Sequence, residues 1–226
     1  MSKQGYGLFC PISKACEVLE PRWTLLVLVE MYCGASRFND IKRGLPGMSP
    51  TLLSKRLKDM QGSGLVLREA KPGSKNVTYN LTEAAWNLKP IALAMGKWSE
   101  KYIETEVNVD DLDAKLLMWS LKRSLDTSVF DAVRTVVQFI FPDAIDEDRN
   151  FWLISRPESD VELCVSDPGF DVDLFVTAEL KCLTNIYMGY QKLESAIAKD
   201  DLNLTGDRKL STSISRWMGL SPLAYM

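Results

Sequence analysis

The chain contains no histidine. That removes the commonest general base and the usual zinc ligand, which weakens every hydrolase or metalloenzyme reading and excludes those that need histidine. Its five cysteines, Cys10, Cys16, Cys33, Cys164 and Cys182, include no CxxC pair and leave one thiol over in any disulfide scheme, which suits a reducing compartment. There is no run of about 18 or more apolar residues, so no membrane span is expected. The opening MSKQGYGLFC lacks the apolar core and small-residue cleavage pattern of a secretory signal, and the expected location is the cytoplasm. No nucleophile stands beside a base in any recognisable pattern. The expectation is a chain that is not an enzyme, with no catalytic residues, no metal and no cofactor.

What is present is an ordinary soluble composition, 46% apolar and 25% charged over 226 residues, enough for two modest domains. The net charge of −3 conceals an asymmetry. Residues 1–102 carry 15 Lys and Arg against 8 Asp and Glu, while residues 103–226 carry 12 against 22. A basic half joined to an acidic one suggests that only the first touches nucleic acid.

In the basic half, Cys10-Pro11 precedes a helix in which Ile12, Ala15, Cys16 and Leu19 stand at i, i+3, i+4 and i+7, the spacing of a buried stripe. A second helix, from about Trp23 to Tyr32, is apolar nearly all round and should form the centre of the domain, with Gly34 marking its end. Residues 36–82 then read as one module: a short basic helix, a Leu-Pro-Gly turn, an amphipathic helix and a two-stranded ribbon with a basic tip. Ser49 suits an N-cap and Pro50 a first helical position. Within that helix Leu53, Leu57 and Met60 should face the core, with Thr51, Ser54, Lys55 and Lys58 opposite and Arg56 at the flank. Helix, turn, helix and β-ribbon in this order is the winged-helix arrangement, whose second helix fits a major groove. The expected contact set is Arg37, Lys42, Arg43, Ser49, Thr51, Ser54, Lys55, Arg56 and Lys58, joined at the ribbon tip by Lys71, Ser74 and Lys75. A last helix is expected from the cap Thr82 to about Tyr102, kinked or ended in its first part by Pro90. Trp86 and Trp98 on it suggest a dimer seam, with plain core as the alternative.

The stretches CPISKACEVLEPRWTLLVLVE, RFNDIKRGLPGMSPTLLSKRLKDMQGSGLVLRE and VTYNLTEAAWNLKPIALAMGKW closely resemble the HxlR-type winged-helix transcriptional regulators, over residues 8 to about 102. Cys-Pro before the first helix, Arg-Trp-Thr opening the second and the Leu-Pro-Gly-x-Ser-Pro turn are jointly specific. Glu20-Pro21 departs from the small residues usual there and reads as a local loop change. The resemblance implies a homodimer that binds double-stranded DNA at a palindromic operator. It also implies a redox-sensing role for Cys10, since some such regulators sense electrophiles or oxidants at the matching cysteine. An inert thiol is the alternative.

The acidic half opens with a weakly patterned lead-in, IETEVNVDDL, at residues 103–112. A helix from about Asp113 to Leu125 follows, then strand-like runs Arg134 to Phe141, Asn150 to Ser155, Val161 to Ser166 and Val172 to Ala178. Helices from about Leu180 to Tyr190 and Lys192 to Ala198, a short strand at Leu202 and a closing helix from Lys209 to Met218 complete an α+β layer arrangement with an antiparallel sheet. The stretch VDLFVTAELKCLTNIYMGYQKLESAIAKDDLNLTGDRKLSTSISRWMG resembles the sterol-carrier-protein superfamily, over about residues 113–221. The resemblance implies an apolar tunnel for a small hydrophobic effector. Candidate lining residues are Trp119, Phe139, Trp152, Phe175, Ile186, Tyr187, Met188 and Trp217, each with plain core as the alternative.

The sequence therefore reads as an α+β chain of two domains. Residues 1–104 form a winged-helix DNA-binding and dimerisation domain, and residues 105–226 a sterol-carrier-like domain that binds an apolar effector. The alternative is a small-molecule carrier whose winged helix serves only dimerisation or protein docking.

Overall fold

The computed structural model describes residues 5–70, 77–103, 112–130, 133–221 and 224. The chain divides into two compact units, Met1–Ser99 and Glu100–Met226.

The first unit opens with helix α1 (Pro11–Leu19), α2 (Thr24–Tyr32), α3 (Phe38–Gly44) and α4 (Pro50–Gly62). Strands β1 (Val66–Ala70) and β2 (Val77–Leu81) pair antiparallel, with Val66 opposite Leu81 and Ala70 opposite Val77. Local chemistry sets the boundary of α4: Ser49 Oγ accepts the Leu52 N–H at 3.2 Å, and Pro50 stands where a missing N–H costs nothing. Gly64, at φ 74°, takes a left-handed turn between α4 and β1 that favours glycine. The core joins Val27, Leu28 and Met31 of α2 to Ile41 of α3, Met48 of the turn, and Leu53, Leu57 and Met60 of α4. An isolated bridge between Arg37 and Thr78, and the bond from Tyr79 N–H to Ser36 O at 2.7 Å, tie the ribbon to the start of α3.

One expectation for this unit is corrected. The stripe on α1 is not buried: Ile12 is 72% exposed, Ala15 is exposed, and Cys16 and Leu19 are half-buried. The unit's core is met by the Val18–Leu19 end of α1, and Ile12 lies outside it. The final helix ends in its first part, as the place of Pro90 led one to expect, and forms α5 (Glu83–Trp86) and α6 (Lys89–Tyr102). The break falls before Pro90, which sits in the first turn of α6, where proline is tolerated. No residue of α6 is buried, and Ile91, Met95, Trp98 and Tyr102 form an exposed apolar ridge at helical spacing.

The second unit begins with α7 (Ala114–Ser124), capped by Asp113, whose carboxylate accepts the Leu116 N–H at 2.9 Å. Strands β3 (Thr135–Ile140), β4 (Asn150–Ser155), β5 (Glu162–Cys164), β6 (Leu174–Ala178) and β7 (Leu202–Gly206) form one sheet in the order β5-β4-β3-β6-β7. Helices α8 (Leu180–Met188) and α9 (Leu193–Ala198) precede β7, and α10 (Arg208–Thr212) and α11 (Ile214–Trp217) follow it. Strand alternation sends Val137, Phe139, Phe151, Leu153, Leu174 and Val176 into a core shared with all five helices. Val136, Trp152 and Ile154 form a smaller cluster on the opposite face, covered by Phe170 and Val172.

The expected all-antiparallel sheet is mixed: β3 and β6 run parallel, with Val137 beside Leu174. The hairpin partners β4 and β5 occupy one side of β3, so β6 takes its other edge. The connection from β5 carries Phe170 and Val172 across the back of the sheet. The single closing helix expected from Lys209 is also divided at Ser213, whose hydroxyl donates to Lys209 O at 2.7 Å. Such back-bonding competes with helix continuation.

Candidate nucleic-acid interface

Helix α4 presents two faces because its apolar residues recur every three to four positions. Leu53, Leu57 and Met60 are buried, while Thr51, Ser54, Lys55 and Lys58 are exposed at i, i+3, i+4 and i+7. Short hydroxyl side chains thus stand beside two ammonium groups on one solvent-facing strip. That combination suits base edges and phosphates respectively. The neutral Ser49 is also exposed, with its hydroxyl already engaged as the cap.

The remaining expected contacts divide by how free they are. Lys42 is half-buried and its ammonium donates to Leu45 O at 3.4 Å and Pro46 O at 3.2 Å, holding the turn that precedes α4. Arg43 is exposed and lies 3.8 Å from Asp40. Arg37 is exposed at the bridge to the ribbon. Arg56 differs from its neighbours: its side chain is only 14% exposed, Nε donates to Arg22 O at 2.9 Å, and Nη1 pairs with Asp59 at 3.0 Å. Lys71, Ser74 and Lys75 lie outside the described residues. Arg68 on β1 is an exposed cation of the ribbon that was not among the expected contacts.

A cleft of about 800 Å3 lies between the N-terminal segment, α1 and the C-terminal half of α4, lined by Tyr6, Glu17, Glu20, Lys58 and Asp59 among others. The Tyr6 hydroxyl donates to Glu20, and that bond, with minor burial, pushes its pKa up to about 12. Lys14, bonded to Glu17 at 3.0 Å, holds that carboxyl below the usual range. Cys10 is exposed at the start of α1 and makes no side-chain capping bond.

The expected effector residues are not brought to one wall. Phe139, Ile186, Tyr187 and Trp217 lie in the helix-covered core, and Met188 packs against it. Trp152 and Phe175 are on the other face, since Trp152 and Phe175 both register with Gln138. Trp119 is buried on α7 beneath Lys122 and Arg123, at 5.2 and 5.4 Å from its ring centre. Trp217 satisfies its buried indole by donating to Leu210 O at 2.8 Å. Two surface depressions in this unit, of about 360 and 380 Å3, are lined by none of these eight residues. Among the described residues no cluster of His, Cys, Asp or Glu is arranged to hold a metal, and no helix is long and apolar enough to cross a membrane.

A family model described as HxlR-like helix-turn-helix matches residues 18–107. The uncharacterized HTH-type transcriptional regulator YvaP of Bacillus subtilis (strain 168) is 34% identical over 97 residues, which span 42% of this chain and 90% of that protein. The uncharacterized HTH-type transcriptional regulator sll1512 of Synechocystis sp. is 32% identical over 101 residues, 44% of this chain and 75% of that one. Among solved structures, the reduced form of the transcriptional regulator YodB from B. subtilis is 29% identical, with a TM-score of 0.38, over 44% of this chain and 99% of its own.

Proposed function

Because the chain belongs, through residues 18–107, to the HxlR-like helix-turn-helix family, we propose that it is a DNA-binding transcriptional regulator acting as a homodimer on a palindromic operator. The observation that carries this reading is the exposed strip Thr51, Ser54, Lys55 and Lys58 on a capped helix that is followed by a β-ribbon. Lys55 and Lys58 bind phosphate or base edges, and Arg37, Arg43 and Arg68 add backbone grip beside them. The dimer is supported by the apolar ridge Ile91, Met95, Trp98 and Tyr102, each half or more exposed, and by Ile12 at 72% exposed. A two-fold axis would place two copies of α4 in successive major grooves, ~34 Å apart.

Residues 105–226 are the effector-binding part in this reading, a sterol-carrier-like unit taking an apolar small molecule. The sheet order β5-β4-β3-β6-β7, with helices on one face, supports a layered α+β unit of that kind. Phe139 and Trp217 are already packed in its core, so an effector has to rearrange them. Such a molecule would register as a shift in the melting temperature of the full chain and in its release of DNA.

The test is recovery and sequencing of genomic fragments retained by the full-length protein. The expected result is a shared inverted repeat with half-sites about 10 base pairs apart. Retention without any common sequence, or no retention at physiological salt, sinks the regulator reading and leaves the carrier.

A further inference from the structure

We propose that Arg56 is a positioning residue rather than a DNA contact: it clasps α4 to the corner between α1 and α2, and that corner sets how the strip Thr51, Ser54, Lys55 and Lys58 meets the duplex. The inference rests on the DNA-binding reading above.

The corner is Pro21 to Thr24. Its geometry is fixed twice at Pro21 O, which accepts from Thr24 N–H at 3.0 Å and from the Thr24 hydroxyl at 2.7 Å. Trp23 stands at its tip in a left-handed backbone conformation, φ 81°, which bulky residues rarely adopt unless their surroundings enforce it. Two contacts run from this corner to the DNA-facing element. The Trp23 ring packs against Gly47 in the turn that starts α4, its edge 3.3 Å from where a Cβ on Gly47 would stand. One residue earlier, the Arg22 carbonyl accepts from Arg56 Nε at 2.9 Å. The other arm of the same guanidinium closes on Asp59 at 3.0 Å, one turn further along α4. The corner therefore grips α4 at its entry and again in its second turn.

Chemistry separates the clasp from a phosphate contact. The rigid guanidinium fork directs two donors to two separate acceptors, and a lysine at this position keeps the charge but cannot reproduce both bonds. Asp59 is the converse case. An acid on a helix facing phosphate weakens binding by simple charge, so its removal should strengthen binding unless it has another task. In the clasp, its task is to hold Arg56.

The experiment measures affinity of the full-length protein for a fragment recovered from its own genomic selection and for unrelated duplex, across a salt series. Wild type is compared with Arg56→Lys, Arg56→Ala and Asp59→Ala, with melting temperatures recorded for each. The clasp predicts that Arg56→Lys and Asp59→Ala both lose about tenfold or more on the selected fragment, comparable to misreading a base pair, and little on unrelated duplex. The salt slope stays at the wild-type value in Arg56→Ala, whereas losing a phosphate contact would lower it by about one. Wild-type affinity in Arg56→Lys, or tighter binding by Asp59→Ala, overturns the clasp. If Arg56 variants do not fold, Asp59→Ala decides alone, because its side chain is partly exposed and leaves the core intact. Failure of the wild type to bind any DNA would instead remove the reading on which the clasp rests.

Discussion

At the scale of single residues, Lys55, Arg56 and Lys58 are three long cations within four positions of one helix, with Arg56 at the flank of the strip. Periodicity places Lys55 and Lys58 on the strip opposite Leu53 and Leu57, and the structure leaves them exposed. It could not show that Arg56 folds back, because its partners are a carbonyl 34 positions away and a carboxylate on its own helix. The expected measurement follows this division. Lys55→Ala and Lys58→Ala should each lower the slope of log affinity against log salt by about one, with little change in melting temperature. The thiols divide in the same way. Cys182 is half-buried, and burial, with Asp201 and Glu179 nearby, raises its pKa above the ordinary thiol value. At pH 8 less of it is thiolate, the form that reacts, so alkylation should modify exposed Cys10 well before Cys182. The Cys182 rate should climb only as pH rises through that raised value. Mass spectrometry of partly labelled protein checks the order, and equal rates would mean that the burial of Cys182 is transient.

At the scale of elements, caps and turns were legible because their chemistry is local. Ser49 before Pro50 and Thr82 before Glu83 each accept a first-turn N–H, as their side chains allow, and Asp113, read as the first residue of its helix, is instead its cap. What local chemistry does not fix is which strand lies beside which. The runs now assigned to β3 through β6 have strand character and are bounded by turns, yet nothing in that pattern shows that β6 would lie parallel to β3. Likewise the stripe on α1 has the right spacing for burial, but spacing does not supply the surface to bury it against, and Ile12 is 72% exposed. The end of β7 shows a local signal with a long-range reason. Gly206 has φ 132°, and a Cβ there would run into the Asp173 backbone oxygen. The same approach lets Asp207 N–H donate to Asp173 O at 2.8 Å and Asp207 cap α10 through Leu210 N–H at 2.8 Å. Gly206→Ala should therefore cost about 2 kcal/mol or more, seen as a lower melting temperature, from strain and lost pairing together. An unchanged melting temperature would mean that the edge of the sheet yields freely.

At the scale of the whole molecule, opposite charge accumulates along the chain, positive through residue 102 and negative beyond it. The second part repels phosphate, so non-specific DNA binding should be weaker for the full chain than the basic half alone would give. Association is the other property that belongs here. Trp98→Glu combined with Ile91→Glu should convert a two-chain species into a single chain of 25.5 kDa and weaken operator binding, as read by sedimentation and gel shift. A wild-type mass of one chain at micromolar concentration would remove the dimer. The sheet of the second unit bears on where association stops. Its outermost strands are β5, three residues long and carrying Glu162, and β7, which turns outward Asn203 and Thr205 and ends at the kinked Gly206. Short, polar or bent edges offer a poor template for another strand. Growth by strand addition is thus discouraged at these two edges, and in the dimer proposed above association runs through the ridge on α6 instead. Concentrated solutions should therefore stay clear and plateau at two copies, with no cross-β fibres on storage.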